Sequence, residues 1–220
     1  MKEIVPELAV QDLAGAEKLL RDVFGFARDG DLLRLNDQRI ALVQADGPRG
    51  HGGIDHLALA VNDTDAALAG FLAHGAVLEE TTPDGPKEIA EFWAHGVRYA
   101  FLQGPEGARI ELCAKRGTAA APHRPGHDHI GIPCTDIAAS AAFFTDLGAK
   151  PVAAFDLIRA EGTIAVRFLS AGQSVIELYA PPGHDAASLS AAPLWRGLRV
   201  LGTGRSATLT GPDGLHVTLL

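Results

Sequence analysis

Cysteine is scarce. Cys113 and Cys134 are the only two in 220 residues, and neither belongs to a CxxC pair. A disulfide scaffold is therefore excluded, and both are expected as reduced core or strand residues. No apolar run approaches the roughly 20 residues that cross a bilayer. The opening MKEIVPEL also lacks the pattern of a secretion signal. The expected location is cytoplasmic, with no membrane partner. Positive charge is short as well: 19 Lys and Arg against 27 Asp and Glu leave a net charge of −8. With no basic patch to neutralise phosphates, nucleic acid is disfavoured as a partner. Apolar material is not short. At 47% hydrophobic residues the chain can build a real core, and its length suits one large or two small domains. Twenty-five Gly and 13 Pro mark many turns, which fits short strands and hairpins better than a helical bundle.

The chain repeats itself. VPELAVQD at 5–12, HLALAVND at 56–63 and HIGIPCTD at 129–136 share one register: an alternating apolar run, then Asp at the eighth position. Alternation of this kind is the mark of a half-buried strand. The Asp residues (Asp12, Asp63 and Asp136) are expected to cap helices, because a carboxylate can accept the free N–H groups of a first turn. Apolar residues at helical spacing then predict helices over Leu13–Phe24, Thr64–Ala73 and Ile137–Leu147, stopping at Gly25, Gly75 and Gly148. Each helix is followed by short strands whose last member is recognisable: RIALVQA at 39–45, RIELCAK at 109–115 and VIELYAP at 175–181. The unit is strand–helix–three strands. A fourth unit is partial. GPDGLHVTLL at 211–220 matches GPEGARIELC at 104–113, but 184–210 shows no first strand and no capped helix. Along the chain the units are 1–48 and 51–115, then 125–182 and a partial 184–220. They group as 1–115 and 125–220 about a linker at 116–124.

Polar residues recur on this frame. His56 and His129 hold the same first-strand position in units two and three, and Glu111 and Glu177 the same last-strand position. A histidine or glutamate in an apolar strand is costly to bury without a partner. Four of them at two equivalent positions suggest one shared partner, and a divalent metal is the simplest. Imidazole with carboxylate suits Zn, Ni, Fe, Co or Mn. The matching unit-one positions are Val5 and Ala41, and unit four offers Thr218. Glu7, on the same strand face as Val5, is a candidate substitute.

The repeat and the H…IEL…H…IEL order resemble the vicinal oxygen chelate superfamily of glyoxalases, extradiol dioxygenases, epimerases and bleomycin- or fosfomycin-resistance proteins. The resemblance covers nearly the whole chain. It implies an α+β fold of tandem βαβββ modules in curled mixed sheets, with the fourth module truncated here. It also implies a cup holding one metal on His56, Glu111, His129 and Glu177. A two-His, two-Glu set is most similar to bacterial glyoxalase I. Fused four-module glyoxalases pair modules two with three and one with four, which here would give one intact site and one without ligands. Pairing one with two and three with four would split the ligands between two incomplete cups.

Such a set leaves positions open for a substrate with two adjacent oxygens. The expected activity is that of a metal-dependent lyase or isomerase, with Glu111 or Glu177 as the base that takes a proton beside a carbonyl. The alternatives are an Fe(II) extradiol-type dioxygenase and a non-catalytic small-molecule binding protein. Phe92, Trp93 and His95, in an insertion of unit two, are expected over the mouth of the cup. Arg98 and Arg167 are expected to contact a substrate carboxylate or phosphate. His51, His123 and His127 lie in Gly- and Pro-rich stretches and are expected to face solvent. A small-molecule substrate is the expected partner, with a homodimer as the expected assembly.

Overall fold

A computed structural model describes residues 3–117, 125–185, 187 and 189–220. Unit one comprises β1 (Glu3–Val10), α1 (Leu13–Asp22), β2 (Ala27–Asp29), β3 (Leu32–Leu35) and β4 (Gln38–Gln44). Unit two comprises β5 (His56–Ala60), α2 (Thr64–Ala73), β6 (Lys87–Ile89), β7 (Val97–Gln103) and β8 (Arg109–Lys115). Unit three comprises β9 (Gly126–Pro133), α3 (Ile137–Asp146), β10 (Lys150–Arg159), β11 (Gly162–Ala171) and β12 (Ser174–Ala180). The last unit has β13 (Trp195–Leu201), β14 (Ala207–Thr210) and β15 (His216–Leu219). Most of the expected linker, 118–124 with His123, lies outside the described residues.

Each helix starts where its aspartate caps it. Asp12 accepts from the Gly15 N–H, Asp63 from Ala66, and Asp136 from Ala138 and Ala139. Such a cap contributes about 1 kcal/mol. Past the helix ends, Gly25, Gly75 and Gly148 take φ of 79°, 92° and 98°, a region where a Cβ is strained.

The strands form two curled mixed sheets. One runs β14-β15-β13-β1-β4-β3-β2 and the other β10-β11-β12-β9-β5-β8-β7-β6. Units two and three thus share the eight-stranded sheet, joined by the antiparallel pair β5–β9. Units one and four share the other, joined by the antiparallel pair β1–β13. Each chain-order group, 1–115 and 125–220, contributes one unit to each sheet. In every unit the first and last strands lie side by side and parallel (β1–β4, β5–β8, β9–β12 and β13–β15).

That last pair corrects the expectation that unit four lacks a first strand. Trp195–Leu201 is that strand. Its alternation is broken by a register shift at Arg196, opposite Glu7 and Leu8, which lets Arg196 and Arg199 both reach Glu7, and no capped helix follows it to mark its end. What unit four lacks, among the described residues, is a helix and one strand of the βαβββ set.

The two GPxG turns stitch the sheets together. The carboxylate of Glu106 accepts the N–H groups of Gln11 and Asp12, just ahead of α1. Asp213 accepts from the Thr135 N–H at 2.8 Å and from its hydroxyl, just ahead of α3. One apolar core runs through both sheets and all three helices, with Leu8, Leu20, Leu57, Ile110, Ile176 and Leu198 fully buried. A second, smaller cluster of Phe92, Val97, Cys113, Leu157, Val166 and Phe168 lies apart from it.

Candidate metal centre

Strand period places the site. On β8, Ile110, Leu112 and Ala114 enter the main core, so Glu111 and Cys113 face the other way. On β12, Ile176 and Leu178 enter the core, while Glu177 and Tyr179 face away. His56 on β5 and His129 on β9 follow the same alternation. Register then brings the four together. Glu111 stands beside Ala58, which is opposite His129, and Glu177 stands beside Gly131, which is opposite His56. The residue across from each imidazole is small. A Cβ at Gly131 would overlap the His56 ring.

All four side chains are buried, at 3 to 8% exposure. His56 Nε2 lies 3.0 Å from Glu111 Oε2, 3.1 Å from His129 Nε2 and 3.7 Å from Glu177 Oε2. His129 Nε2 lies 3.2 Å from Glu177 Oε2 and 3.4 Å from Glu111 Oε2. His56, Glu111 and His129 each present an atom within 4.8 Å of the other two. One chain supplies every donor.

The tautomers follow from the other ring nitrogens. His56 Nδ1 is 2.9 Å from Asp55 Oδ2, and His129 Nδ1 is 2.7 Å from Asp128 Oδ1. A carboxylate only accepts, so each Nδ1 carries a hydrogen and each neutral ring turns its Nε2 lone pair inward. Two lone pairs at 3.1 Å, faced by two carboxylates, repel one another unless a cation sits among them. Asp55 is itself held by Arg109 at 2.6 Å, and Arg109 by Glu79 at 2.8 Å. This outer support is the usual companion of metal-binding histidines. The donor set therefore fits a divalent cation.

Titration shifts agree in sense. Burial works against charge on His56, but the hydrogen bonds to Asp55 and Glu111 lift it to about 9. His129 is likewise raised, against burial, by Glu177, Asp128 and Glu111. Glu111 is lowered to about 2: burial opposes this, and the two histidines outweigh it. The carboxylates draw positive charge to the centre of the site, and protons or a metal ion can supply it.

These residues line a cavity of about 260 Å³ whose remaining wall is mostly apolar. Phe92 and Trp93 are part of that wall, as the insertion suggested; His95 is not. Arg98 and Arg167 are not brought there, which corrects their expected role. Arg98 lies between Val97 and Tyr99, and Arg167 between Val166 and Phe168; all four of those neighbours line the cavity. Both arginines therefore project from the other face. Arg98 binds Asp65 at 2.5 and 2.8 Å, and Arg167 binds Asp156 at 3.0 Å. Glu7 is buried in the other sheet between Arg196 at 3.0 Å and Arg199 at 2.7 Å. That makes it an ion-pair partner of two arginines. His127 does not face solvent as expected. It bridges the sheets, meeting Gln38 at 2.5 Å and accepting the Val175 N–H at 2.8 Å.

Asp55, Asp128 and Arg109 were not anticipated. The available signal was the Asp-His dipeptide at 55–56 and 128–129, repeated at matched positions.

Two family models, both described as the glyoxalase/bleomycin resistance protein/dioxygenase superfamily, match residues 55–168 and 126–217. The chain belongs to this superfamily. No curated protein matches it in sequence at a significant level. Among solved structures, glyoxalase I from Zea mays is similar at a TM-score of 0.72 and 18% identity, over 99% of this chain and 92% of that one. A mutant of the same maize enzyme is similar at a TM-score of 0.74 and 17% identity, over the same shares. At these identities the likeness shows the superfamily's fold. Methylmalonyl-CoA epimerase from Mycobacterium tuberculosis aligns over 59% of this chain and 87% of its own, at a TM-score of 0.43 and 24% identity. Among the described residues, no helix of this superfamily member is long and apolar enough to cross a membrane.

Proposed function

We propose that this protein is a divalent-metal-dependent lyase or isomerase that moves a proton beside a carbonyl on a small chelating substrate. The observation that carries this reading is the convergence of two imidazole nitrogens, each 3.0 to 3.7 Å from both of two carboxylates, in a largely apolar cavity. Imidazole with carboxylate suits Zn, Ni, Fe, Co or Mn. When bound, such a cation acts as a Lewis acid toward two adjacent oxygens of a substrate. The chain's own residues do the rest. Asp55 and Asp128 keep hydrogen off both Nε2 atoms, and the aromatic wall excludes water. Glu111 lies within 3.0 and 3.4 Å of the two histidines and is assigned as a fixed ligand. Glu177 lies 3.2 Å from His129 but 3.7 Å from His56. It is the looser carboxylate, and we assign it to take the proton and return it. This second carboxylate favours proton transfer over Fe(II) dioxygen chemistry, which uses two histidines and one carboxylate.

The test is solvent exchange. Metal-loaded protein in deuterium oxide is expected to exchange the hydrogens beside the carbonyl of 2-hydroxyacetophenone, followed by NMR. His56→Ala should lose the metal by elemental analysis. Glu177→Gln should keep most of the metal and lose exchange by roughly 100-fold or more, the usual worth of a positioned base. Metal retained by His56→Ala would remove the metal centre. A fully loaded wild type without exchange would leave a binding protein.

A further inference from the structure

The two sheets end in four edge strands, β14 and β2 in one, β10 and β6 in the other. Three of them are blunt, with 4, 3 and 3 residues, and short edges are poor templates for another chain. The fourth, β10, has 10 residues. Among the described residues its only strand neighbour is β11. It also carries Ile158, at 80% the most exposed large hydrophobic side chain of the described residues, and Val152 at 50%. A long edge with exposed apolar side chains is suited to the addition of a further strand.

The edge is complementary to itself. A two-residue turn at 160–161 joins β10 to β11, with Arg159 opposite Gly162. In such a hairpin Arg159, Leu157 and Phe155 turn their main-chain groups toward β11, while Ile158, Asp156 and Ala154 turn theirs outward. The Ile158 carbonyl accepts from the Arg159 guanidinium at 2.9 Å and keeps a second lone pair. Two antiparallel copies about a twofold axis at Phe155 set Ala154 opposite Asp156 and Val152 opposite Ile158, each pair twice. The apolar side chains exposed on each chain then cover those of the other. An axis at Asp156 would set two aspartates face to face, which is unfavourable, and an axis at Ala154 would set Ile158 opposite Lys150. Pro151, which has no N–H, and Arg159, held to Glu91 at 2.7 Å, stand just outside the paired span.

We infer that a second copy of this chain docks edge to edge along β10, with Phe155 on the twofold axis, so that the two eight-stranded sheets run on into one. A single added strand gives a contact at the low end of interface size, below about 1,200 Å², and a dissociation constant in the micromolar range is expected. The pairing needs no metal, so it is tested on metal-free full-length protein by sedimentation equilibrium from about 1 to about 200 μM. Wild type is expected to pass from monomer to dimer over that range. Ile158→Lys should weaken the dimer at least about tenfold, and its Tm should stay within about 2 °C because the side chain meets solvent. Ala154→Lys sets a lysine opposite each Asp156 and should tighten the dimer several-fold at low salt. Val77→Lys, an equal change at a 55% exposed site away from this strand, should leave dimerisation unaltered. The inference is overturned if the wild type stays monomeric throughout, which would leave the edge to a strand of another protein. It is equally overturned if Ile158→Lys dimerises like the wild type, if Ala154→Lys brings no tightening, or if Val77→Lys weakens the dimer as much as Ile158→Lys does.

Discussion

Asp128→Asn and Asp55→Asn probe the centre without touching a donor. Asparagine keeps the shape of aspartate but loses its charge, and it can offer its NH2 group to Nδ1. That favours the wrong tautomer, with a hydrogen on Nε2 directed at the site. Loss of an outer partner of this kind usually weakens metal binding 10- to 100-fold, or about 1.4 to 2.8 kcal/mol. Both pairs are short and well shielded: 2.7 Å for Asp128–His129 and 2.9 Å for Asp55–His56, with the rings only 4 and 5% exposed. Each substitution should therefore cost metal affinity within that range, measured by competition against a zinc-binding dye. Stability should separate the two. Asp55 also holds Arg109 at 2.6 Å, a hydrogen bond between charged groups worth about 1.5 to 3 kcal/mol when buried. Arg109 is 18% exposed and keeps Glu79, so about 1 kcal/mol is a fair expectation. Asp128 carries no comparable arginine contact among the described residues. Urea unfolding of the metal-free proteins should thus show Asp55→Asn less stable than Asp128→Asn by about that amount. If both variants are folded and bind zinc as tightly as the wild type, the aspartates do not orient the imidazoles, and the argument from the Asp–His pairs fails.

Gly131→Ala drives a methyl group into the His56 ring. It should cost about 1 to 3 kcal/mol, the usual range for overpacking, and lower zinc occupancy; unchanged melting and unchanged zinc would contradict the packing described. Asp213→Ala removes the acceptor from the Thr135 N–H and hydroxyl and should cost about 1 kcal/mol, seen as a drop of about 2 to 4 °C in Tm. Burial favours the protonated form of Glu7, but hydrogen bonds from Arg199 and Arg196 outweigh it and hold the carboxyl below its usual 4.5. Its stabilisation is therefore complete above that value and lost as the pH falls through the lower, folded-state one. Glu7→Gln should be less stable than the wild type at pH 7 by urea midpoint. The gap should narrow on acidification, and a gap independent of pH would refute the ion pair.

How far the sequence could be read depended on distance along the chain. The repeat and its caps are local, so Asp12, Asp63 and Asp136 announce three helices in the sequence itself. The meeting of His56, Glu111, His129 and Glu177 was legible because a histidine or glutamate in an apolar strand demands a partner, and equivalent positions in two units pointed to the same one. The facing of Arg98 and Arg167 was missed although strand period contains it: each alternates with residues that turn inward. Phe168 and Leu157 escaped because the wall they build with Trp93 joins segments more than 60 residues apart. The strand at Trp195–Leu201 was hidden by its two arginines, whose partner Glu7 stands nearly 190 residues earlier.

The sheet shared by the outer units has a consequence for how the chain is made. β1 leaves the ribosome well before β13, the strand that covers its far edge. Until then Ile4, Val5 and Leu8, at most 2% exposed when folded, border an open edge. Pro6 sits among them with no N–H to offer, and Glu3 and Glu7 set charge on either side. Both features make the waiting edge a poor template for another chain. The strands that carry the donors follow one another without interruption and need no such guard. A nascent chain that stalls before Trp195 would keep that edge bare, with Pro6 and the two glutamates as its guard.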